Sequence, residues 1–305
     1  MEKKPLAETA VDRIEKVFGE HREYRRAHAR GVIYEAVFSA NGLGAEYTTA
    51  PHLQGGEVKA LARFSHSSPD PTWTDVMSPV KGLGVQFLLP DGSVTNIVGV
   101  NSPIFLAKTP EAFTKILGVV TSFKKGKPRL RELAELLIQY PESRAAIKIV
   151  QKMHAPASFA TGRYHSIHAF YFIDKDGNRL PIKYEWEPDA GVETLTPKDA
   201  GSLPFGYYEW EIEDRLQKEP VSFRLNIVIG GEEDPTDDPT VAWPEERHKL
   251  TVGTLTILPK PAPEADERKF DPTAVTEGIE CSEDQILHFR KAAYSISEER
   301  RNREK

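Results

Sequence analysis

Residues 168–186 read HAFYFIDKDGNRLPIKYEW, and this stretch gives the strongest indication of the fold type. Apolar and polar side chains alternate on both arms, 168–173 and 180–186, as in strands that bury one face. The dipeptide Asp176-Gly177 between the arms is typical of a tight hairpin turn. The sequence therefore predicts two antiparallel strands here and an antiparallel sheet around them.

Segments of similar pattern occur on both sides of this hairpin. Strands are predicted at residues 32–34, 58–65, 84–89, 93–99, 222–229 and 250–258. A helical insertion at 110–153 interrupts them, because its apolar residues recur every three or four positions. Many antiparallel strands with peripheral helices indicate an α+β fold built on a closed or nearly closed antiparallel β-barrel. We expect one domain over residues 1–305, with the barrel at about 20–260.

Composition and charge exclude several functions. The chain has 305 residues and a net charge of -6, so no basic surface is expected for nucleic acid or an anionic membrane. Cys281 is the only cysteine, which excludes an intramolecular disulfide and a cysteine-based metal cluster. The apolar runs are shorter than a membrane span, and the N-terminus lacks the apolar core of a signal peptide. We therefore expect a cytoplasmic protein.

The C-terminal helix carries an unusual pair of side chains. Ser282 stands three residues before Gln285 in the form of a capping box, which predicts a helix over 282–301. Arg290 and Tyr294 are four residues apart and therefore share one face of this helix. A fixed positive charge beside a phenol favours its ionised form, and a phenolate suits ferric iron. The spacing alone is common by chance and does not identify a site.

The residues around this pair occur in a known order. Phe270-Asp271-Pro272, Gly278-Ile279-Glu280 with Ser282, and then Arg290 and Tyr294 resemble the F-D-P, G-I-E-x-S and R-x-x-x-Y motifs of haem catalases. The resemblance implies a catalase-like haem-binding barrel whose C-terminal helix supplies Tyr294 as the axial iron ligand. Arg290 would then hold its guanidinium against the phenolate.

A second group of similar motifs lies near the N-terminus. His28 and Arg25 stand in the sequence RRAHARG, which resembles the catalase segment with the distal histidine and an arginine that binds a haem propionate. Arg63 and Ser65 stand in ARFS, similar to the strand with a second propionate-binding arginine and the serine that orients the histidine. Without the resemblance, a histidine among four arginines is more simply a solvated basic patch.

The pocket walls and a third arginine follow from the same resemblance. Phe105 and Phe113 fall where catalases have phenylalanines in the haem pocket, although both would otherwise be plain core residues. Arg301 lies seven residues beyond the axial ligand on the last helix. It would be a further partner for the propionates.

A relay on the proximal side is also implied. His168 lies in SIHAF, similar to the catalase strand G-S-H-T-F, and Asp284 stands ten residues before Tyr294 as in the family. The resemblance implies hydrogen bonds from Asp284 through His168 to Arg290. A lone strand histidine would otherwise be read as a buried core residue.

The sequence departs from the family at the distal asparagine. Ungapped alignment of the VGVNSPIF segment places Val100 at the position of that amide, with Asn101 beside it. An apolar side chain there removes a hydrogen-bond donor to the peroxide, unless Asn101 turns its amide into the pocket. The chain also lacks the long terminal additions of large catalases, so it resembles a minimal catalase-related peroxidase.

The expected function is therefore that of a haem b peroxidase, which reduces hydrogen peroxide or organic hydroperoxides with electrons from a small organic donor. Catalase activity is expected to be weak at most. His28 would move the proton, and a homodimer or another small homo-oligomer is expected. Two alternatives stay open. One is a hydroperoxide isomerase of the allene oxide synthase type, and the other is a haem-binding protein without turnover.

Overall fold

The computed structural model describes residues 4–124 and 130–303. Its strands are β1 (Gly31–Ala40), β2 (Gly56–His66), β3 (Lys81–Leu88), β4 (Val94–Val100), β5 (Tyr164–His165), β6 (Phe170–Ile173), β7 (Arg179–Pro188), β8 (Val221–Ile229), β9 (Lys249–Pro261) and β10 (Ile279–Cys281). Its α-helices are α1 (Leu6–Phe18), α2 (Pro110–Lys124), α3 (Leu130–Gln139), α4 (Ser143–Lys152), α5 (Pro197–Ser202), α6 (Tyr207–Leu216) and α7 (Gln285–Arg303).

Eight of the strands close into a barrel. Hydrogen bonds join them in the order β7, β5, β4, β3, β2, β1, β9, β8, and β8 pairs with β7 to complete the ring. Each of these pairings is antiparallel. Strands β6 and β10 extend the sheet from β7. The predicted antiparallel barrel is confirmed, and its closure leaves no free edge in the ring.

The predicted hairpin is present with a shorter first arm. Strand β6 begins at Phe170, which pairs with Ile182 of β7. Residues 174–178 form the turn, and Gly177 has a φ of 82° that glycine adopts without strain. The first arm begins two residues later than expected, and the side chain of His168, which precedes it, makes a hydrogen bond with Asp284 at the start of α7.

Large aromatic side chains fill the barrel. Phe38, Phe64, Phe87 and Trp186 are fully buried, and Phe38 meets both Phe87 and Trp186 edge to face. They come from inward-facing positions of four different strands, so the alternation of the strands supplies the core directly. Because these side chains are buried in one cluster, the barrel interior is packed rather than open to a ligand, and truncating one of them to alanine would cost about 3–5 kcal/mol.

The helices lie outside the barrel. Helix α1 packs against α2 and α7. The predicted insertion at 110–153 contains α2, α3 and α4, with a break at Tyr140-Pro141 and with residues 125–129 outside the described residues. Helices α5 and α6 were not predicted. No helix among the described residues has the length and apolar character to cross a bilayer.

The start of α7 differs from the prediction. The helix begins at Gln285, and the side chain of Asp284 caps it by accepting hydrogen bonds from the backbone N–H groups of Ile286 at 2.8 Å and Leu287 at 3.3 Å. Ser282, the predicted cap, is fully buried, and its hydroxyl has no hydrogen-bond partner among the described residues. A carboxylate near a helix N-terminus also meets the positive end of the helix dipole, which favours Asp284 in this role.

Candidate active site

A cavity of about 510 Å³ lies between the barrel and the helices. This volume is within the ~300–1,000 Å³ that is usual for small-molecule sites. The barrel wall contributes Ser65, Gly82 and Val100, which are paired side by side across β2, β3 and β4. Helix α7 contributes Arg290 and Tyr294, which lie one turn apart as predicted.

The imidazole of His28 lies against the barrel wall and is held by three neighbours. Its Nδ1 is 2.9 Å from the Ser65 hydroxyl, and its backbone carbonyl accepts a hydrogen bond from Arg63 Nη2 at 2.9 Å. A Cβ on Gly82 would lie 2.9 Å from the imidazole Cε1, so the ring can occupy this place only beside a glycine. His28 has a φ of 52°, a left-handed conformation that costs about 1–3 kcal/mol and is typical of functional sites.

The charge state of His28 follows from its surroundings. Burial, together with the guanidinium groups of Arg63, Arg290 and Arg25, lowers the pKa of this imidazole to about 3. The ring is therefore neutral at physiological pH and is able to accept a proton. His28 and Arg290 of α7 both line the cavity, so they face the same space.

Tyr294 is the end of a hydrogen-bonded chain. Its Oη accepts from Arg290 Nη2 at 2.6 Å, and Arg290 Nη1 donates to His168 Nε2 at 3.0 Å. Because Nε2 of His168 accepts, its Nδ1 carries the proton and donates to Asp284 Oδ2 at 2.6 Å. The relay expected from the sequence is thus assembled in its expected order. Its last member, Asp284, is also the cap that fixes the start of α7.

The relay lies in a buried setting. His168 and Asp284 are 1% and 0% exposed, and burial lowers the pKa of His168 to about 4. A neutral His168 bridges the Asp284 carboxylate and the Arg290 guanidinium by hydrogen bonds without adding a second positive charge. The positive charge of Arg290 therefore lies against the phenol oxygen of Tyr294, where it stabilises negative charge.

Three arginines converge on one carboxylate beside the cavity. Arg25 Nη1 is 2.8 Å from Asp266 Oδ1, Arg63 Nε is 3.5 Å from the same oxygen, and Arg301 Nη1 is 3.9 Å from Oδ2. Burial and the charge of Arg25 lower the pKa of Arg63 to about 9, so this group is still charged at neutral pH. Three guanidinium groups against one carboxylate leave an excess of two positive charges at this edge of the cavity.

The predicted pocket phenylalanines are both in the wall. Phe105 and Phe113 line the cavity with their ring centroids 5.5 Å apart, and Phe113 meets Phe289 of α7 at 6.2 Å. Helix α2 supplies Phe113, so the helical insertion closes the cavity from outside the barrel. These contacts give the cavity an aromatic wall on this side.

The side chains of Val100 and Asn101 lie in different surroundings. Val100 lines the cavity, whereas the amide of Asn101 accepts from the backbone N–H of Lys81 at 2.8 Å and donates toward Pro79 O at 3.5 Å. Asn101 is not among the residues of the cavity wall, and successive strand residues face opposite sides. The structure therefore places the Asn101 amide outside the cavity wall, and the wall is apolar at Val100.

Sequence reasoning missed two residues of the site. Gly82 was not singled out, although a glycine inside a strand signals a close approach by another group. Asp266, the carboxylate shared by the three arginines, lies in the 3₁₀ turn Pro263–Glu267, for which no role was predicted. No local pattern distinguishes Asp266, because its partners come from residues 25, 63 and 301.

Comparison with known proteins assigns the family. The family model described as Catalase matches residues 8–304. A catalase-related peroxidase of Mycolicibacterium paratuberculosis is 36% identical over 94% of this chain and 92% of its own length, and one of Synechococcus elongatus is 31% identical over 95% and 87%.

Solved structures agree on the fold. A fungal catalase and catalase A from Saccharomyces cerevisiae each superimpose with a TM-score of 0.81 at 19% and 21% identity. Each match covers 92% of this chain but only 60% and 62% of the solved protein, so the chain spans about three fifths of those catalases. Catalase family proteins bind haem. The match along nearly the whole sequence and the shared barrel lead to one conclusion, that this chain belongs to the catalase family.

Proposed function

We propose that the protein is a haem-dependent peroxidase that reduces hydrogen peroxide or organic hydroperoxides with an organic electron donor. One observation carries the proposal. The cavity brings together a neutral histidine, His28, and a tyrosine whose oxygen accepts a hydrogen bond from an arginine, Tyr294. A proton acceptor and an anionic ligand facing one cavity are the two protein groups that peroxide cleavage at iron requires.

The residues present fit haem b. The two excess positive charges around Asp266 match the two propionates, and Arg25, Arg63 and Arg301 would hold them. Tyr294 would bind the iron through its phenol oxygen, and the phenylalanines of the cavity wall would pack on the macrocycle. When bound, haem supplies the electrons that cleave the oxygen–oxygen bond and regains them from the donor.

The chain's own part in the reaction is to move a proton. His28 takes the proton of the incoming hydroperoxide and gives it to the departing oxygen, which leaves as water or an alcohol. The Ser65 hydroxyl at Nδ1 holds the ring in place, so we assign the proton transfer to the other ring nitrogen, Nε2. Overall, ROOH and two molecules of a donor AH give ROH, H₂O and two donor radicals.

The apolar wall supports peroxidase over catalase activity. Val100 cannot donate a hydrogen bond to a second peroxide, and Asn101 is engaged outside the cavity. Removing one such donor from an active site typically costs about 10²–10³ in rate. The proposal includes a small organic reductant, a small homo-oligomer and a cytoplasmic location, as expected from the sequence.

Oxidation of a phenolic donor by hydrogen peroxide tests this function. We expect the His28→Ala variant of the haem-loaded protein to lose at least about 100-fold in kcat/KM for the peroxide. The matched control is His154→Ala, because His154 is exposed and is not in the cavity wall. A His28→Ala rate equal to that of the control would refute the proposal.

A further inference from the structure

We infer that Arg268 is a docking site for an anionic organic electron donor, so that phenols carrying a carboxylate are oxidised in preference to neutral or cationic phenols. The inference rests on the proposed function and names the class of its electron donor. Arg268 is exposed and also lines the cavity. Its side chain therefore lies at an opening of the cavity, where a donor can reach it from solvent.

The charges of the cavity wall set Arg268 apart from the other cations. Seven cationic side chains of the described residues line the cavity. Two of them have a carboxylate of their own, since Arg26 Nε is 2.8 Å from Glu15 Oε1 and Lys269 Nζ is 2.6 Å from Glu298 Oε2. These two ion pairs are neutral and leave no charge to attract an anion from solvent.

Four further cations have a counterpart in the proposed site. The three arginines that share Asp266 carry two excess positive charges, which the two propionates of haem would match. Arg290 lies against the phenol oxygen of Tyr294. Arg268 is the seventh cation, and it makes no ion pair with a carboxylate in residues 4–124 and 130–303. With haem bound, one uncompensated positive charge would therefore remain, at Arg268.

A buried network of amides holds Arg268 in place. Its Nη1 donates to Gln86 Oε1 at 3.1 Å, and Gln86 is itself only 2% exposed. Gln86 Nε2 donates in turn to Asn96 Oδ1 at 3.0 Å and to Lys269 O at 3.1 Å. Asn96 Nδ2 donates to Asp271 O at 2.9 Å and anchors the network. A neutral amide fixes the guanidinium without cancelling its charge, so less conformational entropy is lost when an anion binds.

Arg268 lies next to the group of arginines to which we assign the propionates. Its backbone carbonyl accepts a hydrogen bond from Arg25 Nη2 at 2.9 Å. The carbonyl oxygens of the two residues before it, Asp266 and Glu267, accept from Arg301 at 3.2 Å each. A donor held by Arg268 would therefore lie beside the propionate edge of the haem, a short distance from the group that it reduces.

A carboxylate fits the free edge of this guanidinium. Nε and Nη2 of Arg268 form one edge and make no hydrogen bond to the described residues, so a carboxylate can accept from both. The attraction is local, because the chain as a whole has a net charge of -6. The carboxylate takes no part in the oxidation. Each phenol loses one electron and its O–H proton, and two phenols reduce one peroxide as in the proposed reaction.

Three phenols with tails of different charge test this inference. They are 3-(4-hydroxyphenyl)propionate, which is anionic, its neutral methyl ester, and the cationic tyramine. Two methylenes separate the charged group from the ring, so the phenol itself is alike in all three. With hydrogen peroxide as oxidant, we expect the haem-loaded wild-type protein to have the highest kcat/KM for the anionic donor and the lowest for tyramine. Arg268→Gln should lower the ratio of kcat/KM for the anionic donor to that for the ester at least about fivefold.

Arg131→Gln is the matched control. It removes the same charge from a side chain that is 91% exposed on α3 and does not line the cavity, so its ratio should equal that of the wild-type protein. An unchanged ratio in Arg268→Gln, or an equal loss with the anionic donor and the ester, would overturn the inference. Weaker haem uptake by Arg268→Gln would also overturn it, because the arginine would then hold a propionate of haem.

A binding measurement without peroxide separates this inference from the proposed function. In a calorimetric titration of the haem-loaded protein, 3-(4-hydroxyphenyl)propionate should bind at least about fivefold more weakly to Arg268→Gln than to the wild-type protein. An ionic strength of about 1 M should remove most of this difference, since it screens charges beyond about 3 Å. If the anion binds in this way but no peroxide is reduced, the proposed function fails and the docking site stands. If peroxide is reduced but the anion binds equally to both proteins, the docking site is wrong and the proposed function stands.

Discussion

Adding one methyl group at Gly82 should disable the site without unfolding the barrel. The Cβ of Gly82→Ala would lie 2.9 Å from Cε1 and 3.0 Å from Nδ1 of His28, and 3.0 Å from Ser65 Oγ. Ordinary carbon contacts are about 3.5–4.0 Å, so the imidazole must retreat by roughly 0.5–1 Å. A misplacement of this size costs up to about 10²-fold in rate. We therefore expect kcat/KM for the peroxide to fall 10- to 100-fold.

The assay compares this variant with a glycine replaced elsewhere. Gly201→Ala is the control, since a Cβ at Gly201 of α5 meets nothing within 4 Å. Peroxidase rates with a phenolic donor, thermal unfolding and haem uptake are measured for both variants. Gly82→Ala should take up haem and unfold as the wild-type protein does, and only its rate should fall. A wild-type rate in a folded Gly82→Ala protein would show that the position of His28 does not limit the reaction.

Three more outcomes follow from the same contacts. Val100→Asn should raise oxygen evolution from hydrogen peroxide about tenfold or more, because it restores a hydrogen-bond donor to the cavity wall. Oxygen evolution is measured with an oxygen electrode, and an unchanged rate would contradict the role given to Val100. Ser65→Ala should lower peroxidase kcat/KM about tenfold while haem binding is unchanged, and equal rates would show that the hydroxyl does not orient the ring. Burial lowers the pKa values of His28 and His52 to about 3 and those of His66 and His168 to about 4, so between pH 6.5 and about 4 the unfolded chain binds more protons. The free energy of unfolding should then fall by up to about 5 kcal/mol per pH unit in urea titrations, and His52→Leu should remove about a quarter of that slope; an unchanged slope in His52→Leu would contradict it.

Much of the fold follows from alternation in the sequence. Strands such as β8, with Phe223, Leu225 and Ile227 on one face, are predicted well because inward residues are apolar and outward ones are not. The ring closure between β7 and β8 has no local signal, since it depends on pairing residues about 40 positions apart. Helix α6 was missed because it mixes aromatic and acidic residues with little helical periodicity.

The site was predicted from motifs rather than from physical patterns. Arg290 and Tyr294 are neighbours on a helix, so their contact follows from spacing, whereas His168 reaches Arg290 across 122 positions. Asp284 was expected in the relay but not as the helix cap, because the capping-box pattern pointed to Ser282. The close approach of His28 to Gly82 could not be predicted, because residue type does not reveal the left-handed backbone conformation at His28.

The absorption spectrum of the haem-loaded protein tests the central claim that Tyr294 binds the haem iron. The wild-type protein and Tyr24→Phe, whose tyrosine is exposed and outside the cavity wall, should give the same high-spin ferric spectrum with tyrosinate features. Tyr294→Phe should lose those features. An unchanged spectrum in Tyr294→Phe, or a wild-type protein that takes up no haem, would contradict the account.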